Sequence, residues 1–182
     1  MKRILIMMMA AVMLVSCGAP RKAAKKPVKT YVQPGADMLN APDVLRAWAM
    51  GTSDSEMTAK KKAMASANAQ LAGMLNTVVN TTIDDYCVVL SAGDVGESRE
   101  YLSQKTNIVS KQVLIGARPV FEEWEAKDAE GMYRCYVVLE ISGEEYVKKL
   151  LEAMNSVQGQ SAKHIDQDLL HELFMKTINS GK

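Results

Sequence analysis

Three cysteines, two histidines and several clustered carboxylates are the side chains of this 182-residue chain whose types could carry chemistry. His164, Asp168 and His171 recur at i, i+4 and i+7, near one face of a helix, with Glu172 beside them. Imidazole and carboxylate groups so spaced can hold zinc, but a solvated helix face presents the same pattern, and no metal is assigned. Cys87 and Cys135 can pair in an oxidising compartment if their Cα atoms lie within about 7 Å; two separately buried thiols are the expectation. Asp84-Asp85 and Glu122-Glu123-Glu125 can be drawn as acid–base pairs, yet strands and loops routinely expose such groups. No nucleophile elbow, phosphate-cradling glycine loop or Cys/His nucleophilic arrangement is present. No catalytic residue, cofactor or metal ligand is therefore assigned, and the chain is not expected to be an enzyme. The remaining thiol, Cys17, stands in Leu14-Val15-Ser16-Cys17 at the end of an apolar leader.

The residues around Cys17 resemble a bacterial lipoprotein processing site. Lys2 and Arg3 form a charged start, Ile4 to Val15 is apolar, and Ser16-Cys17-Gly18 supplies small residues at a cleavage point. A spanning helix needs roughly 20 apolar residues, so the run is short for one. Resemblance to lipoprotein precursors covers residues 1–18. It implies a signal peptide over 1–16, diacylglycerol on the Cys17 sulfur and acylation of the new amine with a palmitate-type chain. Each buried methylene contributes about 0.8 kcal/mol, and multiple chains anchor stably where one holds weakly. Gly18 in place of Asp favours the outer membrane by the same resemblance, and no acidic surface-export cluster follows. The expected address is the periplasmic face of the outer membrane, with the cell surface as the alternative.

Charge is divided along the chain. Arg21, Lys22, Lys25, Lys26 and Lys29 give residues 18–29 a charge of +5, whereas residues 30–182 carry 15 basic and 21 acidic groups, or −6. A basic segment beside a lipid anchor can be attracted to anionic head groups by about 1 kcal/mol per charge near the surface, and a solvated spacer is the equal alternative. An exported acidic body argues against nucleic acid as a partner. Pro20, Pro27, Pro34 and Pro42 punctuate the segment after Cys17. Proline fixes its own φ and restricts its predecessor, so residues 17–42 read as a lipidated cysteine and an extended tether. The tether would reach about 80 Å if fully stretched. Residues 43–182 are expected to form a single α+β domain.

Within that domain, 43–52 reads as a short strand, with a helix from Glu56 entered through Ser53 or Ser55. Ala63, Ala67, Leu71, Leu75 and Val78 recur at helical spacing, and the alanines permit close approach to a sheet. Gly73 inside the helix costs about 1 kcal/mol relative to Ala, which predicts close packing there. The β-branched run Val79, Thr81, Thr82, Ile83 predicts fraying between 80 and 88, followed by a loop over 91–98 and a second helix over 97–111. Residues 112–141 read as two strands joined by a polar turn at 127–131. Cys135, Val137, Leu139 and Ile141 form the expected buried face of the second; Arg134, Tyr136, Val138 and Glu140 form the other. Ser142 and Glu145 have capping-box spacing and open a helix. An amphipathic helix over about 161–179 closes the chain. The aromatics Trp48, Trp124, Tyr133 and Tyr136 are expected in a sheet core under the long helix, with an exposed binding surface as the alternative.

This element order, with Gly51-Thr52-Ser53, the alanine series to Val79, Gly116-Ala117, Trp124-Glu125, Gly131-Met132-Tyr133 and Val137-Val138-Leu139, resembles the LPP-type outer-membrane lipoprotein family over residues 44–147. Its domain is related to parts of the flagellar proteins FlgP and FlgT. The resemblance implies a helix laid on a small antiparallel sheet, used in envelope-associated structures, and brings no catalytic residues. The expected role is a lipid-anchored structural or assembly module, held to the membrane through Cys17, that engages an envelope protein or itself, with strand addition at a sheet edge as the candidate mode. The alternative is a periplasmic binding module for a small ligand or cell-wall fragment, which should show an apolar pocket with converging polar groups.

Overall fold

Alternation along three strands and a four-residue alanine spacing along one helix account for the centre of the molecule. The structure is a computed structural model that describes residues 33–90, 95–155 and 165–180. Strands β1 (Val44–Ser53), β2 (Arg118–Glu125) and β3 (Tyr133–Ser142) form an antiparallel sheet in the order β1-β3-β2. Leu45, Ala47, Ala49 and Gly51 of β1 pair with Ile141, Leu139, Val137 and Cys135 of β3, and all of them are buried. They make one apolar face.

Helix α1 (Glu56–Val89) covers that face. Its Ala59, Ala63 and Ala67 are fully buried. At Gly51 the fit is tightest: a Cβ there would overlap the Ala59 carbonyl and sit 2.5 Å from the Ala63 nitrogen. Small residues on both partners let strand and helix backbones touch, as the alanine spacing predicts. The helix does not fray at 80–88. It runs to Val89 because Val79, Thr82, Ile83 and Tyr86 are buried, and tertiary burial outweighs the small propensity cost of β-branched residues. The Thr82 hydroxyl is satisfied by the Val78 carbonyl at 2.8 Å.

Helix α2 (Val95–Ile115) is longer than expected at both ends, taking up residues 112–115 that the sequence suggests as strand. Val113 is buried on its helical face, which fixes the outcome. Helix α3 (Gly143–Asn155) opens at Ser142, whose hydroxyl accepts the Glu145 N–H at 3.3 Å. Helix α4 (Gln167–Ser180) packs onto the body through Leu170, Leu173, Phe174 and Ile178. Phe174 stacks on Tyr146 of α3 at 4.7 Å, and the Tyr146 hydroxyl lies 3.0 Å from Ser110 Oγ of α2. Burial pushes the Tyr146 phenol up to about 12. The result is the expected α+β architecture: a three-stranded antiparallel sheet against a long helix, with further helices after it.

Two expectations about the sheet are corrected. The second face of β3 is also buried, with Tyr136, Val138 and Glu140 each no more than 4% exposed. Residues 33–39, expected in the tether, lie across it. The Pro34 carbonyl accepts from Trp48 Nε1 at 2.7 Å, and the Met38 carbonyl accepts from Arg46 Nη1 at 2.6 Å. Gly35, at φ +78°, passes so close to Phe121 that a Cβ would lie 2.7 Å from its ring. Trp48 and Tyr136, 6.1 Å apart, therefore belong to the face opposite α1 and not to the core beneath it. Alternation dictates this, because their neighbours at odd positions already fill the α1 side. Among the described residues no helix is long and apolar enough to cross a membrane.

Candidate functional site

A three-stranded sheet has two edges, and the sequence treats them in opposite ways. Unpaired edge groups invite another strand, and charge, proline or a bulge discourages it. Strand β2 carries all three deterrents: Pro119, a register shift between Pro119 and Phe121, and Glu122, Glu123 and Glu125 along its length. Lys60 Nζ of α1 holds Glu122 at 2.7 Å, which keeps that carboxyl below its ordinary range.

Strand β1, with the sequence VLRAWAMGTS, has no proline and no lysine. Its single charge, Arg46, points across the sheet face and not outward from the edge. Arg46 Nε and Nη2 donate to Glu140 Oε2 at 2.8 and 2.6 Å, while Arg118 Nη2 donates to Oε1 at 2.5 Å. Burial pushes the Glu140 carboxyl up, but hydrogen bonds from Arg118 and Arg46 outweigh it and hold the carboxyl below its ordinary value.

The ladder phase exposes the β1 backbone. Gly143 N–H donates to the Asp43 carbonyl at 2.9 Å, so odd-numbered residues exchange bonds with the β3 side. The N–H and C=O groups of Val44, Arg46, Trp48, Met50 and Thr52 then point to the free edge. Among the described residues, the group bonded to that edge is Lys62 Nζ, 3.1 Å from the Thr52 carbonyl. Asp43 starts the strand at φ +59°, held by Asn179, whose Oδ1 accepts the Asp43 N–H at 3.1 Å.

A groove of about 520 Å³ runs along this edge. Residues 44–48 form one wall, with Gln70, Met74, Thr77 and Val78 of α1 above and Leu39 and Asn40 at one end. No ionised group except the paired Arg46 lines it. Met50 and Met74, 44% and 40% exposed, add flexible apolar surface beside it. Extended peptides bind such edges by main-chain hydrogen bonds, with alternate side chains seated in flanking pockets. A second groove, about 350 Å³ between α1 and α2, is lined by Asn76, Asn80, Ser103, Asn107, Ser110 and Lys111.

The residues singled out for chemistry are dispersed. His171 Nε2 lies 3.1 Å from Glu144 of α3, Asp168 sits in the first turn of α4, and His164 lies outside the described residues. Among the described residues no group of three or more His, Cys, Asp or Glu is placed to hold a metal ion. Asp84 pairs with Arg99, and Glu125 with Arg134 at 3.2 Å, so these carboxylates serve ion pairs. Cys87 and Cys135 are both free thiols, Cys135 fully buried and its thiol pushed up by that burial. Cys17, the lipidation site expected from the sequence, also lies outside the described residues. Sequence reasoning missed the Arg46–Glu140–Arg118 cluster and which edge is open; the absence of Pro and of carboxylates in β1, against Pro119 and Glu122, Glu123 and Glu125 in β2, is the signal that points to the latter.

No family model, curated protein or solved structure matches the chain.

Proposed function

We propose that this chain is a lipid-anchored bacterial cell-envelope protein acting as a structural or assembly interaction module, and that it engages its partner along the free edge of β1. The observation that carries the reading is the contrast between a proline-free edge whose one charge is paired across the sheet face, beside an open groove, and a second edge closed by Pro119, a bulge and three glutamates. Strand addition needs the backbone groups that β1 leaves outward. The membrane link through Cys17, the periplasmic face of the outer membrane as its location and the likeness to LPP-type lipoproteins rest on the sequence. Dispersal of the candidate catalytic groups into ion pairs supports a binding role over an enzymatic one.

A photo-reactive residue at Met50 of the full chain, activated in cells, should give discrete crosslinked protein products, while the same residue at Glu123 of β2 should give none. Equal labelling from both positions, or none from Met50, contradicts the reading. Cys17→Ala should abolish incorporation of a labelled fatty-acid precursor; retained lipid would refute the anchor assignment.

A second reading, a binding module for a cell-wall fragment, is favoured by the α1–α2 groove, where amides, hydroxyls and one lysine could meet sugar hydroxyls and a carboxylate. A thermal shift with muropeptides that disappears in Asn107→Leu would support it, and no shift would remove it.

A further inference from the structure

We infer that the occupant of the β1 edge is a second copy of this chain, paired antiparallel so that two three-stranded sheets join into one of six strands. The inference rests on the reading that β1 is the interaction edge, and names its partner.

Three features make the edge self-complementary. The first is phase. Every outward backbone pair on β1 belongs to an even-numbered residue, as set by the Gly143 N–H to Asp43 carbonyl bond. A twofold axis at Trp48 sets Val44 opposite Thr52, and Arg46 opposite Met50, of the second copy. Each of these pairs is then a hydrogen-bonded pair of an antiparallel ladder, and the interface is isologous and closed.

The second is charge. The edge starts next to Asp43 and ends at Thr52, where Lys62 Nζ of α1 rests on the carbonyl at 3.1 Å and the exposed Asp54 follows the strand. Antiparallel pairing brings Asp43 of one copy to the end of the other where Lys62 offsets Asp54, whereas parallel pairing would set Asp43 against Asp43. Arg46, the remaining ionised group along the edge, is neutralised within its own chain by Glu140.

The third is the helix above. Ser66, Gln70, Gly73 and Thr77 are exposed on α1 at i, i+4, i+7 and i+11, on the side of the helix that walls the groove. Among the described residues, a Cβ at Gly73 would meet nothing within 4 Å, so the close packing expected at this interior glycine is not supplied by the chain itself. Strands joined at about 4.8 Å, each carrying α1 above it, bring the two α1 helices near the 8–10 Å separation of packed helices. The small side chain of Ser66 and the bare backbone of Gly73 then provide the room for that approach, and Met50 and Met74 lose their exposure.

The test uses two differently tagged copies of the full chain, co-expressed in one envelope and extracted in mild detergent. Each should capture the other. Met50→Pro removes an outward N–H without touching a bond to β3, and Met50→Lys adds a charge to the edge. Both should lower co-capture by at least about tenfold with an unchanged thermal melt. Lys62→Glu should also lower it, and Glu123→Lys on β2 should not. A photo-crosslink from position 50 should join two copies through peptides that both contain β1. Co-capture that Met50→Pro and Met50→Lys leave intact, or no co-capture at all, overturns self-pairing. Crosslinks from position 50 solely to a different protein overturn it too, while leaving the interaction-edge reading in place; no crosslinks of either kind removes both.

Discussion

Strands β1 and β2 flank the same central strand, share its antiparallel sense and are similar in length, yet only β2 is armed against further pairing. Pro119 removes a donor, the shift before Phe121 breaks the register, and Glu122, Glu123 and Glu125 repel an incoming acidic chain. On β1 the one charged side chain is tied down to Glu140 and faces away from the edge. Unprotected edges are an aggregation hazard, so a sheet that closes one edge and leaves the other open points to use of the open one. Backbone contact at Gly51 and the Arg46–Glu140–Arg118 cluster both tie β1 to its neighbours beside the groove.

The comparison can be broken most severely by removing that support. Gly51→Val should destabilise the fold by about 3 kcal/mol or more, since the new side chain must displace α1 backbone at Ala59 and Ala63. A chemical-denaturation midpoint measures it, and a loss under about 1 kcal/mol would mean that β1 and α1 do not touch as described. Glu140→Ala should cost about 2 kcal/mol. The value stays below that for a fully buried pair because the Arg118 side chain is largely exposed and screened. Because the Glu140 carboxyl is held below its ordinary value of 4.5, its contribution is complete above that pH and is lost as pH falls through the lower, folded-state value. Glu140→Gln should therefore flatten the acid limb of a stability–pH curve below about pH 4.5; an unchanged limb would place the acid sensitivity elsewhere.

The edges themselves are compared by smaller effects. Gly73→Ala should stabilise the isolated chain by about 1 kcal/mol, because the added methyl meets no neighbour and helix propensity improves. A loss of stability would show that the helix needs the glycine internally. Disarming β2 with Pro119→Val and Glu123→Thr should change stability by less than about 1 kcal/mol, yet give it the open character of β1. Light scattering on the full chain in detergent should then reveal larger assemblies than the parent forms.

Much of this was legible because it is local. The alternation of Cys135, Val137, Leu139 and Ile141, the alanines at 59, 63 and 67 and the Ser142 cap each follow from neighbours in sequence. Their outcomes depended on short-range geometry. What was not legible depends on distant partners. Pro34 and Gly35 read as tether because nothing nearby says that Trp48 and Phe121 await them. Residues 80–88 read as a fraying helix end because the burial that stabilises Ile83 and Tyr86 comes partly from the start of α4, where the Asp166 N–H donates to the Tyr86 hydroxyl at 2.7 Å. Edge status was hidden for the same reason, since the order β1-β3-β2 arises from pairing across the length of the chain. Pro119 is the residue in the sequence that signals β2 as an edge, and it was not read as such.

Amide hydrogen exchange on the full chain, read at Val44, Arg46, Trp48 and Met50 against the outward amides of β2, bears most directly on the claim that β1 is the engaged edge. In native envelopes the β1 amides should be strongly protected and the β2 amides should exchange freely, with Met50→Lys returning β1 to the rate of β2. Free exchange at β1 in the parent chain, or equal protection of both edges, would contradict it.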